Sequence, residues 1–189
     1  MNRRKFIASG GSTVLVGLSG CISALNTNDG GKSPMYLSLT SVDEAPDSLS
    51  FEVAVSKDQL STTDVPIVEI AVKNTSDETA SWSYGGGISD LPFPQGVRDS
   101  DTNGLVIGLE DEVRAQLTDA PSGCARVDYF ARADGSQNTV LKASGQTKRS
   151  YAIASVAGEL NGTCPDKGEY RMEQEFGDFG VWGFNFSLE

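Results

Sequence analysis

The sequence predicts an all-β fold, one antiparallel sandwich of about seven to nine strands placed after an N-terminal signal segment. Three observations carry that expectation. Beyond Met35 apolar residues recur at every second position, as in Phe51, Val53 and Val55 or Trp182, Phe184 and Phe186, which is the spacing of a half-buried strand. Turn-forming clusters such as Asn74-Thr75-Ser76-Asp77 and Asp134-Gly135-Ser136 interrupt these runs at fairly regular intervals. Helical spacing is scarce, with one plausible turn at Asp111 to Leu117.

Taken in order, the first alternating run is Phe51 to Val55, with Glu52 and Ala54 on the opposite side. A polar loop around Ser61 to Asp64 leads to Val68, Ile70 and Val72, alternating with Glu69, Ala71 and Lys73. Thr79 to Tyr84 puts Trp82 and Tyr84 on one face and ends at Gly85-Gly86-Gly87, and Leu91 to Gly104 reads as a long loop. Leu105, Ile107 and Leu109 form the next face, Cys124 to Ala133 a less regular strand, and Thr147 to Val156 a long one. Gly168-Glu169-Tyr170 opens a strand with Tyr170, Met172 and Phe176 inward, and Trp182 to Leu188 closes the chain.

The N-terminus has a different character. Arg3, Arg4 and Lys5 precede a mildly apolar stretch, Phe6 to Leu18, that is too short for a spanning helix of about 20 residues but long enough for a cleavable export signal. Residues 1–20 are therefore expected to be a signal peptide, 21–34 a lipidated cysteine with a polar linker, and 35–189 the sandwich domain. Removing 1–20 takes away three basic residues and no acidic ones, which moves the formal net charge from -11 to -14. A field of that sign repels nucleic-acid phosphates and anionic lipid heads, so no nucleic-acid partner is expected.

Arg3-Arg4-Lys5-Phe6-Ile7 resembles the twin-arginine export signal, departing from it at Asn2, Ile7 and Ala8. Leu18-Ser19-Gly20-Cys21 resembles the lipobox of lipoproteins, which implies cleavage before Cys21 and a thioether-linked lipid on its sulfur. Together with the acidic excess, these segments resemble haloarchaeal-type exported lipoproteins, and the resemblance implies anchoring at the extracytoplasmic face of the membrane. Cys124 and Cys164 then remain as an even pair in an exported chain, for which a disulfide is the better reading. The entropy of closing so long a loop gives about 4 kcal/mol as an upper figure. A zinc or copper site is the poorer alternative, because the pair lacks CxxC spacing and the sequence has no histidine.

The stretch Ile67 to Asp77, and Ser144-Gly145-Gln146 followed by a strand and Gly168-Glu169-Tyr170-Arg171-Met172, resemble secreted immunoglobulin-like modules. The resemblance covers most of residues 50–189 and implies a fold without an activity. The chain is also loosely similar to the small β-sandwich proteinase-inhibitor family of bacilli, with no reactive segment to carry over.

The lack of histidine excludes Ser/His/Asp and Cys/His triads and imidazole acid-base chemistry. Carboxylates alone could support glycoside hydrolysis, but Asp43-Glu44 and Glu110-Asp111-Glu112 read more simply as solvated acidic faces. No catalytic residue, cofactor or metal ligand is assigned. Asp99, Asp101, Asn103, Gly104 and Glu110 match the spacing of an EF-hand loop, yet no helix can enter at Phe93-Pro94-Gln95-Gly96, so a polar turn into the next strand is preferred over calcium. Trp82 and Tyr84 could stack on a sugar, although core residues are the commoner explanation. Asn74, Asn161 and Asn185 head glycosylation acceptor triplets, the first two on turns and the third outward on a strand. The expected role is a surface-displayed binding or structural domain for an extracellular protein or glycan. The alternatives are an accessory subunit or inhibitor of a secreted or membrane enzyme and, behind it, a carboxylate-based hydrolase.

Overall fold

The computed structural model describes residues 33–85, 90–98, 104–118, 123–128, 136–156 and 164–189. They form β1 (Met35–Val42), β2 (Leu49–Lys57), β3 (Gln59–Leu60), β4 (Ile67–Asn74), β5 (Ala80–Gly85), β6 (Val97–Arg98) and β7 (Leu105–Leu109). A short helix α1 (Glu110–Ala115) precedes β8 (Leu117–Thr118), β9 (Arg126–Val127), β10 (Ser136–Leu141), β11 (Gln146–Val156) and β12 (Gly168–Glu175). A 3-10 turn at Gly177–Phe179 then leads into β13 (Val181–Leu188). The fold is all-β, with α1 its one α-helix among the described residues.

One sheet runs β2-β4-β11-β7-β6, a second β12-β13-β1-β3, and β5 pairs with β10. All these pairings are antiparallel except β9 with β11, which is parallel and makes the first sheet mixed. The half-buried pattern sets the register: Phe51, Val53 and Val55 of β2 face Val72, Ile70 and Val68 of β4, and Ile107 of β7 faces Ile153 of β11. A one-residue slip would turn each apolar set toward water. The alternate positions Ala152 and Ala154 of β11 are buried too, and α1 packs on β11 and β7 with Val113 fully buried.

The inner faces meet in an aromatic core. Phe51 of one sheet stacks on Trp182 of the other with ring centroids 4.0 Å apart, and Phe176 meets Phe51 edge-on at 5.2 Å. Phe93 fits between Tyr151, Trp182 and Phe184 at centroid distances of about 6 Å. Gly183 is required by close approach, since a Cβ there would lie 2.3 Å from the Met172 carbonyl oxygen on β12.

Among the longer strands, β1 and β10 were not expected from the sequence, and the two-residue strands β3, β6 and β8 were not either. Met35, Leu37 and Leu39 alternate with Tyr36, Ser38 and Thr40 in β1, whose register on β13 shifts between Leu39 and Ser41. β10 is polar through Ser136-Gln137-Asn138-Thr139, so its sequence reads as loop, with Ser136 in the expected turn Asp134-Gly135-Ser136. Within Cys124 to Ala133 the strand among described residues is limited to Arg126–Val127, and 129–133 lie outside them.

Candidate functional site

Cys124 leads into β9 and Cys164 precedes β12, and the fold brings them together with the sulfurs 2.10 Å and the Cα atoms 5.4 Å apart. Both are buried. Beside them lies a hollow of about 400 Å³ lined also by Ser33, Met35, Pro165, Asp166 and Lys167. The Asp166 carbonyl accepts the Tyr170 hydroxyl at 2.5 Å, which fixes the approach to β12.

Trp82 and Tyr84 do not form a sugar platform. They are 3% and 4% exposed, and the neighbouring aromatic Phe93 is fully buried. Trp82 packs against Phe176 and Phe179, because β5 turns that face inward. The segment 90–96 is a loop, as expected, and it is a buried one: Leu91 and Phe93 are core residues. A buried loop must have its backbone polar groups satisfied, and two tyrosines do this. The Tyr151 hydroxyl accepts the Phe93 N–H at 3.1 Å and donates to the Phe93 carbonyl, while the Tyr84 hydroxyl donates to the Leu91 carbonyl. Thr139 donates to the Tyr84 oxygen at 3.2 Å, and burial pushes both phenol pKa values well above the ordinary value of 10. These hydroxyls are structural and stay protonated.

Of the EF-hand match, Asp99, Asp101 and Asn103 lie outside the described residues. Gly104 has φ 75°, a backbone conformation that suits the preferred turn, and Leu105–Leu109 is a strand. Glu110 opens α1 and accepts from Arg114 Nε at 2.9 Å. With Asp111 and Glu112 it places three carboxylates in the first helical turn, where unpaired N–H groups favour negative charge. Among the described residues, no group of three or more His, Cys, Asp or Glu side chains is placed to hold a metal.

Asn74, which heads one of the glycosylation acceptor triplets, is fully buried. Its Nδ2 donates to the carbonyls of Glu78 at 2.7 Å and of Leu141 and Lys142 at 3.1 Å, and its Oδ1 accepts the Ser76 N–H at 3.0 Å and hydroxyl at 2.8 Å. Asn161 lies outside the described residues. Asn185 is half-buried on a central strand, where its amide donates to Ser41 Oγ at 2.7 Å.

The outer face of the second sheet holds an ion-pair network that sequence reasoning did not single out. Arg171 contacts Asp43 through Nη1 at 3.2 Å and Nη2 at 2.7 Å, and Glu173 through Nε at 2.6 Å. The Asp43 hydrogen bond, then that of Glu173, raises the guanidinium pKa further above its already high value. Asp43 also ties its backbone to β13, donating to the Gly183 carbonyl at 3.1 Å and accepting Trp182 Nε1 at 3.2 Å. One signal was available: Arg171 is the single basic residue in a strand that carries Glu169, Glu173 and Glu175.

Arg3, Arg4 and Cys21 lie outside the described residues, so the geometry of the export and anchor segments forms no part of this arrangement. Comparison of the chain with protein-family models, with curated proteins and with solved structures finds no match.

Proposed function

We propose that the chain is an exported protein held at the extracytoplasmic face of the membrane by a lipid on Cys21, with an immunoglobulin-like sandwich that has a non-catalytic binding or structural role. The observation that carries this reading is the pairing of Cys124 with Cys164 at disulfide distance. The sequence has three cysteines, and that pairing leaves Cys21, at the end of the lipobox-like segment, as the one thiol for lipid. A buried disulfide also suits an oxidising compartment.

Strand order supports the immunoglobulin-like part. Such sandwiches order one sheet A-B-E-D and place C, F and G in the other. Here β2-β4-β11-β7 follows the first order and β12-β13 has the order of F and G, while β5, C-like by its place in the chain, pairs with β10 and not with β12. β1 adds to the G-like strand, and β10 pairs with β5 as an insertion between the D-like and E-like strands.

The test is mass spectrometry of the N-terminal peptide of mature protein taken from membranes. A peptide beginning at Cys21 with a lipid mass on its sulfur is expected. An unmodified Cys21, or membrane retention unchanged in Cys21→Ser, overturns the anchor. If export follows the twin-arginine route, Arg3-Arg4→Lys-Lys blocks it, because that receptor reads the arginine pair and not charge alone, whereas normal secretion points to the general pathway.

A further inference from the structure

We infer that the open flank of the sandwich, along the free edge of β2, takes an extended segment of a partner protein as an added strand, one that alternates apolar residues with Lys or Arg. The inference deepens the binding role proposed above and makes no use of the lipid anchor. β2 ends the order of the first sheet, and β3 covers the edge of β1 only at Met35 and Tyr36. Among the described residues, both sheets therefore finish on this flank without a further strand.

Backbone hydrogen bonds fix which groups point outward. Thr75 N–H donates to the Ser48 carbonyl at 2.8 Å, and Asn74 N–H to the Gly145 carbonyl at 2.8 Å. Odd positions of β4 thus bond β2 and even positions bond β11, so by register Ser50, Glu52 and Ala54 use their N–H and C=O groups on β4. Those of Phe51, Val53 and Val55 point away from the sheet. On β1, Tyr36 N–H donates to the Glu189 carbonyl and Asp43 N–H to the Gly183 carbonyl, and the same alternation turns the backbone of Leu39 and Val42 outward. The side chains of these five residues are half-buried and packed on the core.

Unpaired backbone therefore borders a strip of apolar side chains on both sides. At one end of the strip Leu37 N–H donates to the Asp58 carbonyl at 2.7 Å, beside a hollow of about 420 Å³ lined by Leu37, Leu39, Val55 and Lys57. β2 is the better edge to extend, because its register is regular from Leu49 to Val55, whereas that of β1 shifts between Leu39 and Ser41. A strand added to β2 gains main-chain bonds from Phe51, Val53 and Val55, and its inward side chains cover the apolar strip.

Charge selects the outward residues of that strand. Glu52 is exposed at the middle of the edge, and Glu44, Asp47 and Asp58 are exposed toward its ends. Of the cations on this flank, Lys57 is bound to Asp64 at 2.5 Å, and Lys73 faces Ser50 from β4, one strand further in. Opposite charges attract across a ladder and like charges repel, so Lys or Arg fits this edge and Asp or Glu does not. The formal net charge of -11 likewise disfavours a second copy as the occupant.

The test uses the full chain and a synthetic peptide as long as β2, nine residues alternating Lys and Val. Residue-resolved hydrogen exchange and anisotropy of the labelled peptide read it. Saturable binding is expected, with exchange slowed at the Phe51, Val53 and Val55 amides. A peptide with the same lysines and valines in two blocks, and one alternating Glu and Val, should each bind at least about fivefold more weakly. Val53→Pro removes an outward N–H that β4 does not use and should weaken binding about tenfold. Glu52→Lys, at an exposed position, should weaken it about fivefold. Equal binding of the blocked or the Glu-Val peptide, unchanged binding by Glu52→Lys, or protection elsewhere overturns the inference. So does slow exchange at Phe51 and Val53 before any peptide is added, since the edge is then covered by the chain's own N-terminal segment or, where the protection grows with protein concentration, by a second copy. An unlipidated Cys21 removes the anchor and leaves this result as it stands.

Discussion

Asn74 is the side chain whose environment differs most from its sequence context. In sequence it ends a strand and begins a polar turn, and in the fold it is buried with both ends of its amide satisfied by backbone and Ser76. Asn74→Ala would leave the buried Leu141 carbonyl without this donor, at a cost of about 1–3 kcal/mol, and would break the part-buried bonds to Glu78 and Lys142. We expect a loss of at least about 2 kcal/mol in urea unfolding, and an unchanged midpoint would show that water replaces the amide. Tyr84 and Tyr151 give a pH dependence of definite sign. Their folded pKa values are raised above the unfolded value of 10, so their contribution is complete below pH 10 and is lost as pH rises above it, where the unfolded phenols ionise first. The unfolding midpoint should therefore fall above pH 10. Tyr151→Phe should flatten that fall while lowering stability at pH 7, because Phe93 N–H and carbonyl lose their partner.

At the scale of elements, alternation made the long strands legible: β2, β4, β7, β11, β12 and β13 each carry an apolar row that one buried face demands. β10 was not legible, because its inward side uses Thr139 as a polar bridge to Tyr84 where a hydrophobic residue would have marked it. The segment 90–96 is the loop that its sequence announces, but its burial is not legible. Pro and Gly in Leu91 to Gly96 announce a loop, and nothing local reveals that Phe93 fills the space between two sheets. The β12-β13 pairing rests on Gly183, where a side chain would collide with backbone that cannot move aside. Gly183→Ala should cost more than about 2 kcal/mol or prevent folding, the range of strained substitutions in packed sites. Thermal denaturation checks it, and a shift in Tm below one degree would mean that the two strands separate without penalty.

For the whole molecule, the bond between Cys124 and Cys164 joins segments that few backbone hydrogen bonds hold, with β9 contributing two residues to the first sheet. Reduction, or the double substitution Cys124→Ser with Cys164→Ser, should lower stability by up to about 4 kcal/mol while the β-sheet circular dichroism at 20 °C persists. Unchanged stability under reductant would mean that the thiols are unlinked in the mature protein. The sequence by itself determined the all-β class, the positions of most long strands and the lack of histidine. Each of these depends on residue type and on spacing along the chain. Only the tertiary structure decided that Trp82, Tyr84 and Phe93 are core, that Asn74 is buried, that Arg171 grips Asp43, and which strands end a sheet. Those facts depend on which segments meet across separations of up to 128 residues, and local periodicity carries no information about such meetings.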